Sequence, residues 1–176
     1  MNENLVGKPL AELQDLLHAL GEPAYRGRQL YRNLYRRHAF TLEQMTDLSR
    51  SLREALGARF SIRLPALERG DRSLDGSEKF LFRLEDGLPI ESVFIPDEDR
   101  TTLCLSTQAG CAMGCQFCAT ARLGLARQLT PGEILGQYYA IAANKNLQGQ
   151  SVNLVFMGMG EPRLNFEAVM AAFRIC

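Results

Sequence analysis

The stretch TTLCLSTQAGCAMGCQFC, residues 101–118, decides how this chain folds. TTLCLST (101–107) is a strand candidate that runs straight into a loop carrying cysteines at C-x3-C-x2-C spacing. Downstream, Thr130-Pro131-Gly132-Glu133 is a capping box with proline at the first helical position, predicting a helix to about Asn144. VNLVFM (152–157) is a short continuous apolar strand, GMGEP follows it, and a further helix begins near Asn165. Strand, loop, helix, strand, loop, helix is a βαβα pattern. It predicts an α/β fold with parallel strands flanked by helices.

Upstream, KFLFRL, the turn EDG and LPIESVFIP predict a β-hairpin. Residues 65–78, PALERGDRSLDGSE, are rich in turn formers and charges and are expected to be a linker or loop. The first sixty residues predict a small helical bundle. PLAELQDLLHAL (9–20) spaces its leucines helically. RGRQLYRNLYRRH presents Leu30, Tyr31, Leu34 and Tyr35 on one face and Arg28, Arg32 and Arg36 on the next. TDLSRSLREAL is expected to stop at Gly57. The expected division is a helical domain at 1–64, a linker at 65–78, and hairpin plus βα units at 79–176.

Composition narrows the function classes. Twenty Lys+Arg balance twenty Asp+Glu, so no global field declares a nucleic-acid or membrane partner. The N-terminus lacks a signal-peptide core, and no apolar run approaches the ~18 residues of a membrane span. Five cysteines, an odd number with three inside one loop, do not read as a disulfide framework, and a reducing cytoplasm fits them.

Cys111, Cys115 and Cys118 could belong to a structural zinc site, but zinc prefers four closed ligands, and the two histidines, His18 and His38, lie in the helical region. Three thiolates suit a [4Fe–4S] cluster better, leaving one iron open as catalytic metal sites do. With Phe117 before the last cysteine, the spacing resembles the radical SAM superfamily, in which the open iron chelates S-adenosylmethionine. The stretch from IESVFIP through CLSTQAGCAMGCQFCAT to MGMGEPRLNF, with PAYRGRQLYRNLY and the MTDLS segment upstream, resembles more specifically the RlmN family.

That resemblance implies methylation of C2 of adenosine in 23S rRNA and tRNA by a radical route, with a cluster, S-adenosylmethionine and an electron donor such as flavodoxin. It implies a partial (β/α) barrel of about six units behind an RNA-contacting helical domain. It gives Glu91 as a proton acceptor and Gly160, Glu161 and Pro162 as contacts to the amino group of S-adenosylmethionine. Cys104 would resolve a protein–RNA crosslink by forming a disulfide with a methyl-carrying cysteine near the C-terminus. The arginines Arg28, Arg32 and Arg36 would contact RNA.

Each assignment has a plainer alternative. Cys104 could be a buried strand cysteine, Glu91 a residue on the solvent face, the GMGEP run a tight βα turn, and the arginine stripe a solvated helix face. The family more often has an apolar residue where Arg163 stands. Only about two βα units follow the hairpin, and Cys176 is not expected to be the methyl carrier. The chain is therefore expected to be the N-terminal part of a longer enzyme, with an unpaired sheet edge and methyl transfer not expected from these residues alone. Alternatives are a C8-specific methyltransferase like the related Cfr enzymes and a non-catalytic RNA-binding or iron–sulfur remnant.

Overall fold

The computed structural model describes residues 2–97 and 100–176. After a two-residue strand, β1 (Glu3–Asn4), come helices α1 (Leu10–Ala19), α2 (Ala24–Tyr35) and α3 (Arg50–Arg59). Ser49 starts α3 by accepting the Leu52 N–H on its hydroxyl at 3.3 Å. The helix runs past Gly57 rather than stopping there. A Cβ at Gly57 would approach Leu42 to 3.2 Å, so the glycine serves packing inside the helix and not its termination. The chain leaves α3 at β2 (Phe60–Ser61), which pairs in parallel with β1.

A five-stranded sheet follows, built from β3 (Ala66–Arg72), β4 (Glu78–Arg83), β5 (Pro89–Pro96), β6 (Thr101–Cys104) and, later, β9 (Val152–Val155), in the order β3-β4-β5-β6-β9. The expected linker at 65–78 is thus largely a strand. All seven residues of β3 are exposed, so the strand is held by its antiparallel ladder to β4 rather than by burial. The predicted hairpin is β4–β5, and β6 pairs with β9 in parallel as the βαβ pattern requires. Between them lie a small ribbon, β7 (Gln108–Gly110) with β8 (Leu125–Gln128), and helix α4 (Pro131–Lys145). Helix α5 (Phe166–Ile175) follows β9.

The capping box forms: Thr130 accepts the Glu133 N–H at 3.2 Å, and Glu133 accepts the Thr130 N–H at 2.8 Å. Helix α4 lays Ile134, Leu135 and Ile141 into a core with Phe80, Phe82, Ile90, Leu103 and Leu105 of the sheet. The same cluster includes Leu13, Leu17, Leu30 and Leu34 of the bundle, so the helical region and the sheet share one core. Tyr139 of α4 joins them, with its ring 4.9 Å from His38 and 6.1 Å from Tyr35. Tyr31 donates its hydroxyl to the Ile175 carbonyl at 3.2 Å, tying the bundle to α5 as well.

Candidate active site

Alternation along the strands sorts the candidate residues. Ile90 and Ser92 of β5 and Leu103 of β6 are buried, so they face the core. Glu91, Val93 and Cys104 then share the opposite sheet face. Cys104 lies directly between Val93 on one neighbour and Val155 on the other. Its thiol is half-buried, and that burial pushes its pKa up against the lowering effect of the Met157 backbone hydrogen bond. Glu91 is 3.0 Å from Lys79, and both side chains are nearly half exposed. It is an ion-paired carboxylate on the sheet face it shares with Cys104.

The cysteine loop leaves the end of β7 and returns on β8. Gly110 makes this possible: its φ is +82°, and a Cβ there would sit 1.9 Å from the Gly124 carbonyl oxygen. Across this neck Cys111 donates its N–H to Gly124 at 2.9 Å, and the Cys118 N–H reaches the Cys115 carbonyl at 3.1 Å. Cys111 is buried, Cys118 half-buried and Cys115 exposed. The backbone N–H of Ala121, and then that of Thr120, hold the Cys118 thiol below its ordinary pKa, which favours the metal-binding thiolate.

Among the described residues no three His, Cys, Asp or Glu side chains converge on one metal ion. A four-iron cluster makes a different demand, one thiolate per iron, so its ligands stand apart around a large body. Three soft donors on one solvent-facing loop fit such a cluster.

The GMGEP turn is joined to the stem of this loop. Thr107 and Gln108 both donate backbone N–H groups to the Met159 carbonyl, at 2.8 and 3.2 Å, and Gly158 donates to Leu105 at 3.1 Å. A Cβ on Gly158 would lie 2.8 Å from Leu105 and Ser106 backbone atoms, so the two segments touch backbone to backbone. Asn165, nearly fully buried, donates to both the Thr107 and Leu129 carbonyls at 2.8 Å. Glu161 caps the following 3-10 turn by accepting the Arg163 N–H at 3.1 Å. Arg163 meets Glu161 through its backbone N–H while its side chain is exposed, which explains why an arginine is accommodated there.

Beneath the turn, buried Gln137 of α4 accepts from the Ser106 N–H at 2.8 Å and the Ser92 hydroxyl at 2.6 Å, and donates to the Ser106 carbonyl at 2.9 Å. The Ser106 hydroxyl accepts from the Met159 N–H at 2.7 Å and donates to the Glu91 carbonyl at 2.5 Å. Gln137→Met is expected to cost about 2–3 kcal/mol in urea denaturation, because it strands a buried backbone N–H and a buried hydroxyl. A loss below about 0.5 kcal/mol would show that these bonds do not hold the site together.

The matrix around these residues is shared with known proteins. Residues 3–62 match the model of the ribosomal RNA large subunit methyltransferase N-terminal domain, RlmN_N. The chain is 46% identical over 170 residues to the dual-specificity RNA methyltransferase RlmN of Solidesulfovibrio magneticus, covering 95% of this chain and 48% of that protein. It is 43% identical over 171 residues to the enzyme of the same name from Halorhodospira halophila, at 97% and 47% coverage. The crystal structure of a radical SAM methyltransferase from Sphaerobacter thermophilus superposes with a TM-score of 0.90 and 43% identity, over 98% of this chain and 51% of that one. The chain belongs to the RlmN family. It spans about half the length of the curated relatives it matches.

In this RlmN-family chain the arginine stripe of α2 is exposed but not uniformly free. Arg32 pairs with Asp47 at 3.0 Å, and Arg37 reaches the same carboxylate at 3.2 Å. Arg28 and Arg36 have no salt-bridge partner among the described residues. Burial pushes the Asp47 carboxyl up, but hydrogen bonds from Asn33 and Arg32 and the charge of Arg37 outweigh it and hold the pKa below the ordinary value. A depressed folded pKa contributes stability above the unfolded value, and that stability is lost as pH falls through the folded one. Asp47→Asn is therefore expected to cost about 1 kcal/mol at pH 7 and to flatten the loss of stability below about pH 4. Matching acid melts of the two proteins would contradict this.

Cys176 ends α5 and lines a hollow with Arg36, His38, Tyr138, Ser151 and Val152. The last two mark the N-terminal end of β9, whereas Cys104 pairs at its C-terminal end. Cys176 therefore stands apart from the cysteine loop and the turn. All five cysteines are free thiols. No helix among the described residues is long and apolar enough to cross a membrane.

Proposed function

We propose that this chain carries the RNA-contacting domain and the cofactor-binding part of a radical SAM methyltransferase that modifies C2 of adenosine in 23S rRNA and tRNA. The observation that carries this reading is the three-cysteine loop standing on the same buried frame as the GMGEP turn, at the C-terminal ends of parallel strands, where α/β folds place their ligands. Its sheet is the opening part of a (β/α) barrel whose inner face holds Glu91 and Cys104.

Cys111, Cys115 and Cys118 would hold a [4Fe–4S] cluster, and Gly160, Glu161 and Pro162 the amino group of S-adenosylmethionine. When bound, that pair supplies radical chemistry, which adenine C2 requires as an sp2 carbon of little nucleophilicity. Glu161 keeps one carboxylate oxygen on the Arg163 N–H, which orients the other for an ammonium group. Glu91 would take a proton on the barrel's inner face. Cys104, reacting as its thiolate, would release the RNA adduct by forming a disulfide with the methyl-carrying cysteine as that cysteine's bond to the methylene carbon breaks. The N-terminal match favours C2 over the C8 chemistry of Cfr-like enzymes. Arg28 and Arg36 would meet RNA phosphates, a flavodoxin-like donor would supply electrons, and the cytoplasm would be the site of action.

Anaerobic reconstitution with iron and sulfide tests the reading. It predicts the broad visible absorption of a cluster, and a change in the electron paramagnetic resonance of its reduced form when S-adenosylmethionine is added. A colourless protein, or a spectrum indifferent to S-adenosylmethionine, would sink it.

A further inference from the structure

One fully buried side chain spans the two halves of the proposed site. Gln108 lies on β7, three residues before Cys111, and its amide touches the turn that follows β9. Its Oε1 accepts the Glu161 N–H at 2.8 Å, and its Nε2 donates to Gln128 Oε1 on β8 at 2.9 Å. Gln128 Nε2 in turn donates to the Leu164 carbonyl at 2.9 Å. The direction of this relay is fixed from both ends. A backbone N–H can only donate and a backbone carbonyl can only accept, so each glutamine amide has one permitted orientation.

The turn is shaped to receive Gln108. Gly160 has φ +101°, and a Cβ there would lie 2.6 Å from Gln108 Cβ and 2.8 Å from its backbone N. Glycine at 160 therefore serves close approach to Gln108 as well as backbone conformation.

We propose that Gln108 is a positioning residue that holds Gly160, Glu161 and Pro162 in their ligand-binding form against the cysteine ribbon. The cluster loop and the ammonium-binding turn then form one preorganised site and need no ordering when S-adenosylmethionine arrives. This rests on the functional assignment above for the identity of the ligand, but not for the contact itself.

Gln108→Met keeps the volume and removes both hydrogen bonds. Gln108→Glu keeps an acceptor for the Glu161 N–H but sets a second oxygen against Gln128 Oε1, so the relay fails at its middle. Two measurements on the whole chain separate the possibilities. Without cofactor, amide hydrogen exchange at Glu161 is expected to quicken at least about tenfold in Gln108→Met. Unchanged protection there overturns the proposal, whatever the site binds.

After reconstitution, Gln108→Met and Gln108→Glu are expected to keep wild-type iron and sulfide content while binding S-adenosylmethionine about tenfold more weakly. Affinity equal to wild type overturns the positioning role. Parallel loss of cluster and ligand also overturns it, since that marks a merely structural glutamine. If the wild-type protein holds no cluster or ignores S-adenosylmethionine, the functional assignment fails and takes the named ligand with it, and the exchange result still decides whether Gln108 sets the turn.

Discussion

Replacing Cys111, Cys115 and Cys118 together with alanine is expected to abolish the visible absorption of the reconstituted protein and leave its fold nearly intact. The thiols hold little of the structure. Cys115 is exposed and Cys118 half-buried, its thiol accepting from the Ala121 and Thr120 N–H groups at the open surface of the loop. The contacts that close the loop run through backbone: Cys111 N–H to Gly124 and Cys118 N–H to Cys115. Alanine preserves both of these backbone bonds. Only Cys111 is buried, and trimming its sulfur costs about 1 kcal/mol, too little to unfold a domain. Loss of iron with an unchanged circular dichroism spectrum therefore isolates ligation from folding.

Cys104→Ala and Cys176→Ala are the controls. Cys104 sits in the sheet between Val93 and Val155, and Cys176 lines the hollow at the other end of β9. Both variants are expected to retain full absorption. Iron and colour persisting in the triple variant, or lost equally in Cys104→Ala, would remove the cluster from this loop.

How far the sequence foretold this site depends on the range over which each feature is encoded. The capping box at Thr130 and Glu133 was legible because donor and acceptor lie three residues apart. The β4–β5 hairpin and the β6–β9 pairing follow from apolar runs whose burial needs only a sheet. β3 was hidden because its residues are charged and exposed throughout, and its ladder to β4 leaves no pattern in composition.

The ribbon β7–β8 was hidden because its two short strands meet across a loop that reads as irregular. The buried glutamines were the largest omission. Gln137 bonds to Ser106 across 31 residues and Gln108 to Glu161 across 53, and nothing local distinguishes a buried glutamine from a solvated one. The STQ run at a strand end was the only hint. The α2 arginine face was visible, but the capture of Arg32 by Asp47 is tertiary, and it leaves Arg28 and Arg36 as the arginines of the stripe without a salt bridge among the described residues.

Gly7→Ala is expected to lose about 3–5 kcal/mol of stability, the largest effect of any single alanine argued for this chain. Two costs add at this position. Gly7 has φ +95°, which an L side chain adopts only under strain, and a Cβ there would fall 2.3 Å from the Gly132 N and 2.6 Å from its Cα. Both obstacles are backbone of the first turn of α4, so no rotamer change relieves them. The converse also holds, because a Cβ on Gly132 would lie 2.3 Å from the Val6 carbonyl oxygen.

Gly21→Ala separates the two costs. Its φ is +78° with nothing within 4 Å, so it carries the conformational term alone, about 1 kcal/mol. Urea denaturation of the three proteins measures the difference. The contact also bears on function. Gly7 donates its N–H to the Tyr35 hydroxyl at 2.9 Å, which anchors the segment to α2 and its arginines. Gly132 stands beside Glu133, which Arg127 of β8 grips at 2.7 and 2.9 Å, next to the cysteine loop. Backbone therefore meets backbone between the proposed RNA face and the proposed cluster site, and the distance between them is built into the fold. Gly7→Ala is expected to strain both ends of that connection, lowering RNA affinity and cluster retention together. Unfolding of Gly7→Ala alongside Gly21→Ala would show instead that the helical region and the sheet meet through yielding side chains, and that their registration is loose.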